Sequence, residues 1–118
     1  MKENTYNLEN TQAQMRKGTL DFSILLIISE GKVYAGEIIT KLITANIIVV
    51  EGTLYPLLSR LKRVGLVSYE WKESKAGPPR KYYFLTKEGE GVLKSLLSTW
   101  SEFNTSINKL IKKYEKGN

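Results

Sequence analysis

The chain has 118 residues, with 18 Lys and Arg against 12 Asp and Glu, a net charge of +6, and neither Cys nor His. That length holds one domain with a modest core, which self-association would enlarge. Without thiols or imidazoles there are no disulfides, thiolate zinc sites, thiol nucleophiles or histidine bases, and no pair of its carboxylates lies inside an apolar run.

The expectation is therefore a protein that is not an enzyme and holds no metal or cofactor. The opening MKENTYNLEN lacks the features of a secretory signal, and no apolar run approaches about 20 residues. A soluble, cytoplasmic protein is expected.

Residues 1–10 read as a polar arm. From Thr11 to Ser29 the pattern predicts one helix, largely buried, because Met15, Leu20, Phe22 and the block at 24–28 exceed what a one-sided surface helix carries. Gly18 weakens it locally and Gly31 suits its end. A second helix is predicted over 34–45, with Tyr34, Ile38, Ile39, Leu42 and Ile43 on its apolar side. IIVV at 47–50 reads as a short strand or extended connection, and Glu51 or Thr53 can cap the helix after it.

The third helix runs to about Val64. Leu54, Leu57, Leu58, Leu61 and Val64 face inward, while Tyr55, Ser59, Arg60, Lys62 and Arg63 face outward. Pro56 is placed near its first turn, where a missing amide hydrogen costs little. Residues 66–74 and 80–86 read as strands of a hairpin joined by the turn KAGPP at 75–79. Adjacent Tyr82 and Tyr83 face opposite ways, one toward the core and one outward, and Trp71 braces the hairpin. The final helix spans about residues 86–114. Leu93, Trp100, Ile107 and Tyr114 recur every seven residues, with Leu96, Phe103 and Leu110 three places on. At 1.5 Å per residue it is roughly 43 Å long, more than the small body can cover. Its far half is expected to pack on another subunit, and Trp100 fits either interface packing or stacking of an aromatic ligand.

Most of the net positive charge sits between Arg60 and Lys81, which holds seven cations against Glu70 and Glu73, and a second cluster lies in the basic tail after residue 108. Three helices followed by a hairpin describe a winged helix-turn-helix, mainly α with a small β-hairpin, plus a long C-terminal dimerisation helix. The division is an arm at 1–10, a DNA-binding domain at 11–86 and a dimerisation helix with its tail at 87–118. Thr53 and Tyr55 are placed to approach bases or phosphates. Arg60 and Arg63 follow as cationic contacts, and Arg80 and Lys81 suit phosphates or the minor groove.

The ordered strings GTLDFSILLIIS at 18–29, EGTLYPLLSRLKRVGLV at 51–67 and GPPRKYYFLTKEG at 77–89 resemble the PadR family of winged-helix transcriptional regulators, over about residues 15–115. The resemblance implies a dimeric repressor that binds a double-stranded operator. Its recognition helix carries Thr53, Tyr55 and Pro56 with Arg60 nearby, and its wing carries Gly77, Arg80, Lys81 and Tyr82. With Ser59, Arg63 and Lys75 these form the candidate DNA-binding set. The first and last helices are then the dimer interface, through Leu93, Leu96, Trp100, Phe103, Ile107 and Leu110. In the short multidrug-binding members a Trp of the final helix stacks flat aromatic compounds between subunits. Trp100 falls at the matching place, with Met15 and Phe103 as neighbours.

Three features depart from the family pattern. YAGE at 34–37 replaces a YGYE-like string, Lys62 stands where an acid is common, and AGPP at 76–79 lacks a second Gly. The reading from a different class is a dimeric protein-interaction adaptor without operator recognition.

Overall fold

The computed structural model describes residues 5–47 and 49–117. Its elements are α1 (Leu8–Gly18), α2 (Leu20–Ile28), α3 (Ala35–Thr44), α4 (Glu51–Arg63), β1 (Val67–Ser74), β2 (Gly77–Leu85) and α5 (Lys87–Gly117). This is the winged helix-turn-helix with a long last helix that the pattern predicts.

The single first helix expected over 11–29 is two helices. α1 starts earlier because Asn7 caps it, its Oδ1 accepting from the Asn10 amide at 3.0 Å. Residues 8–10 of the expected arm are therefore helical, and residues 1–4 lie outside the described residues. The break falls at Gly18 and Thr19, where a poor helix former meets a hydroxyl that bonds back to the Arg16 carbonyl at 3.0 Å. Burial is confined to α2, whose Ile24, Leu25, Ile27 and Ile28 enter the core. α1 buries nothing, which corrects the largely buried first helix.

The same core takes Ile38 and Leu42 of α3, Leu54, Leu58 and Leu61 of α4, and Val33, Val67, Tyr83 and Leu93. Ile43 and Val64, expected inward, are 62% and 56% exposed. Ile43 is one step round the helix from Leu42, off the stripe of Ile38 and Leu42, and Val64 is the C-cap, where the chain leaves the last turn. No strand forms over the described residues of 47–50. Ile47 and Val49 pack partly buried against the core, and Ile48 lies outside the described residues.

α4 is preceded by Val50, with no side-chain cap from Glu51 or Thr53. Because the helix starts at Glu51, Pro56 falls in its second turn and forfeits the bond that the Gly52 carbonyl would otherwise accept. The hairpin pairs Val67 with Leu85, Tyr69 with Tyr83, Trp71 with Lys81 and Lys72 with Arg80. Its turn is shorter than KAGPP. Gly77, Pro78 and Pro79 belong to β2, which prolines permit at the end of an edge strand. On the other side of β2, Val33 and Tyr83 exchange two backbone hydrogen bonds of 3.1 and 2.7 Å. Tyr83 is buried and Tyr82 half-buried on the opposite face.

Thr86 joins the hairpin to α5. Its amide donates to Leu66 O at 3.1 Å and its hydroxyl to Gly65 O at 2.6 Å, while its Oγ1 accepts from the Gly89 amide at 3.0 Å. Gly89 is buried so closely here that a Cβ would lie 2.0 Å from Leu66 O. Leu93, assigned to the dimer seam from its spacing, is only 7% exposed and belongs to the chain's own core, with Leu96 partly buried against it. From Leu97 to Gly117 every residue is exposed.

Candidate nucleic-acid interface and helical seam

α4 turns Leu54, Leu58 and Leu61 into the core, which leaves Thr53, Tyr55, Pro56, Ser59, Lys62 and Arg63 exposed along its outer surface. The Tyr55 hydroxyl donates to Glu51 Oε1 at 3.1 Å. That bond, and then burial, push the phenol above its ordinary range, so it stays a neutral donor that holds the helix-terminal carboxylate. Tyr55→Phe releases Glu51 and removes a polar group from the outer surface. We expect it to lower affinity for a selected operator several-fold more than for random duplex, measured by titration of both.

Between α4 and the wing lies a groove of about 470 Å³, walled by Tyr34, Gly36, Tyr55, Trp71, Arg80 and Lys81 among others. The wing cations rest on rings. Arg80 lies 4.4 Å from the Tyr34 ring centroid, Lys81 4.6 Å from Tyr69 and 5.4 Å from Trp71, and Lys72 5.1 Å from Tyr82. Lys62, the departure on the third helix, is 5.5 Å from Tyr69. A ring orients a cation without cancelling its charge, so the wing keeps its positive potential. Tyr34 reaches Arg80 by folding over Gly36, where a Cβ would lie 2.9 Å from the ring. Tyr34 also meets Tyr82 edge-on at 5.4 Å.

The predicted residues do not all converge. Tyr55, Arg80 and Lys81 share the groove; Lys75 and Gly77 sit exposed at the hairpin tip, and Ser59 and Arg63 further along α4. Arg60, expected as an outward cation, turns back to α2, where its Nη2 donates to both Asp21 carboxylate oxygens at 2.7 Å. Both side chains are about 40% exposed, so the pair contributes at most about 1 kcal/mol to stability. Sequence reasoning missed Asp21, Gly36 and the groove-lining place of Trp71. A lone aspartate beside an apolar run was the available signal for the first, since a charge there needs a partner.

A second hollow, of about 480 Å³, opens between α1, α2 and α5, lined by Met15, Thr19, Phe22, Leu96, Trp100 and Phe103 among others. The rings of Phe22 and Trp100 are 6.2 Å apart and tilted by 42°. Phe22, expected only as a core residue, has its ring facing this hollow between α1 and α5. Along α5, Leu97, Trp100, Phe103, Ile107, Leu110, Ile111 and Tyr114 are all 45% or more exposed. A contiguous apolar surface of this kind marks an interaction face.

A helix with a polar outer surface, a cationic wing beside it and a long helix with an apolar seam define the winged-helix class of transcriptional regulators. The chain matches the profile of the Transcriptional regulator PadR-like family over residues 24–95, and it belongs to that family. It is 53% identical to a PadR-like transcription factor from Bacteroides fragilis, with 86% of this chain and 98% of that one covered at a TM-score of 0.72. A PadR-like regulator from Bacillus cereus is 40% identical over 83% and 96% of the two chains, at a TM-score of 0.77. An uncharacterised protein from Lysinibacillus sphaericus is 30% identical over 78% of this chain and 87% of its own length. The chain is thus a transcriptional regulator and not an enzyme. Among the described residues no helix is long and apolar enough to cross a membrane.

Proposed function

We propose that the chain acts as a homodimer that binds a two-fold symmetric DNA operator and represses transcription, and that a planar aromatic ligand held between two copies of Trp100 releases it. Residues 11–86 form the DNA-binding unit and residues 87–118 the dimerisation helix with its basic tail. The observation that carries the DNA-binding reading is the groove that sets Tyr55 of α4 beside ring-supported Arg80 and Lys81. Thr53, Tyr55, Pro56 and Ser59 approach base edges in the major groove, with Arg63 on a phosphate. Lys75, Gly77, Arg80, Lys81 and Tyr82 follow the flanking backbone.

Selection of bound fragments from a random duplex library tests this directly. Enrichment of a symmetric sequence supports it. A folded dimer that enriches nothing over a range of salt favours the adaptor reading.

The seam supports the dimer. Leu96, Trp100, Phe103, Ile107 and Leu110 cover one another across two copies of α5, with α1 alongside. Placing a charge there by Leu110→Glu is expected to shift sedimentation from dimer to monomer at micromolar protein, since an unpaired charge is not tolerated in an apolar interface.

For release, an occupant of the Met15, Trp100 and Phe103 hollow must prefer a dimer whose α4 helices miss successive grooves, because equal affinity for both forms shifts nothing. A planar aromatic compound is expected to quench Trp100 and weaken operator binding together, read in a Trp71→Phe background so that one indole reports. Quenching with unchanged DNA affinity rejects ligand-driven release.

A further inference from the structure

Asp21 is the one aspartate of the chain, placed in the first turn of α2, whose other residues are apolar except Ser23. Its carboxylate takes the Arg60 guanidinium across 39 positions of sequence, at 2.7 Å on each oxygen. Arg60 lies in the last turn of α4, on the side away from the wing. With Thr53 and Leu57 it walls a groove between α4 and the start of α2.

α4 needs such a tie. It packs chiefly on α3 and β1, and Pro56 takes one hydrogen bond from its second turn. The ion pair joins the other end of the helix to α2, the most buried helix of the fold. It is too exposed to matter much for stability, but one guanidinium nitrogen, Nη2, held at 2.7 Å from both carboxylate oxygens fixes where the end of the Arg60 side chain sits.

We propose that Asp21 is a positioning residue for operator recognition. Through Arg60 it holds the C-terminal half of α4 in register with the wing, and Arg60 serves as this strut rather than as a DNA contact. The proposal rests on the DNA-binding reading above. Hydrogen bonds to base edges tolerate only a few tenths of an ångström of displacement, whereas phosphate contacts from flexible cations tolerate more. A loosened α4 therefore loses discrimination before it loses general affinity.

The test uses the full-length chain and the duplex enriched from the random library. Wild type, Asp21→Asn, Arg60→Gln and the double variant are titrated with that duplex and with a scrambled one over a series of salt concentrations. Each single variant is expected to lower the ratio of operator to scrambled affinity about tenfold, the weight of one base contact. The double variant should be no worse than either single, because all three remove the same interaction, and the salt slope should stay unchanged.

If Asp21→Asn keeps the ratio while Arg60→Gln weakens both duplexes and lowers the slope by about one per subunit, Arg60 is a phosphate contact and the strut is overturned. Should a single variant fail to fold by thermal melting, the exchanged pair Asp21→Arg with Arg60→Asp decides. Recovery of the ratio supports the strut, and a folded exchanged pair without recovery overturns it. A wild-type chain that selects no duplex overturns the DNA-binding reading itself, which is seen before any variant is made.

Discussion

Replacing Arg80 and Lys81 together by alanine is expected to weaken binding to every duplex, operator or not, on the order of 100-fold at low salt, as losing four cations from a dimer implies. The slope of log affinity against log salt should fall by about two per subunit. Both residues lie beside the groove edge formed with Tyr55, and both are carried on aromatic rings rather than on carboxylates. Their charge is therefore available to phosphate. The ring contacts with Tyr34, Tyr69 and Trp71 are lost as well, at about 0.5–1 kcal/mol each, so a thermal melt accompanies the titration. A folded double variant with wild-type affinity and slope would remove the wing from the interface.

The second large effect is on stability. Gly89→Ala is expected to destabilise the fold by about 3–5 kcal/mol, through overpacking and the loss of neighbouring hydrogen bonds. The added methyl would stand 2.0 Å from Leu66 O, which already accepts from Thr86 N. Relieving that clash displaces the junction at which Thr86 also bonds Gly65 O and caps the start of α5. Gly91, two residues along the same helix, has open space where a methyl would stand, with nothing within 4 Å. Gly91→Ala is therefore expected to gain up to about 1 kcal/mol from helix propensity alone. The two variants should melt on opposite sides of wild type, at equal protein concentration so that dimerisation does not enter. If Gly89→Ala melts at or above wild type, the junction yields more readily than its close packing implies.

The hairpin and helices α3 and α4 were legible in the sequence because their signals are local. Apolar spacing set the inward Leu54, Leu58 and Leu61, and alternation in the strands set one of Tyr82 and Tyr83 inward. The first helix was not legible as two, since its break depends on one weak residue, Gly18, and on the Thr19 hydroxyl finding the Arg16 carbonyl. The start of α4 was hidden for a similar reason. Val50 needs no side-chain cap when the connection before it packs on the core.

The site divides along the same line. Charge and a place on exposed faces single out Arg80, Lys81 and Tyr55, and these three meet in one groove. The same logic singles out Arg60, which bends across the surface to α2 because its partner is 39 residues away in that helix. Periodicity reports the face on which a side chain lies, but not the carboxylate that waits there. Leu93 shows the same limit. A seven-residue spacing cannot tell the turns of a long helix that cover their own domain from those that extend past it.

By itself, then, the sequence determined the winged-helix architecture, the basic wing and the apolar seam, because composition and spacing act over a few residues and survive without a partner. The tertiary structure alone decided which cations stay outward, which part of α5 is left uncovered from Leu97 onward, and that Tyr34 over Gly36 supports Arg80. Each of these depends on groups brought within a few ångströms from distant positions, and no local pattern encodes those distances.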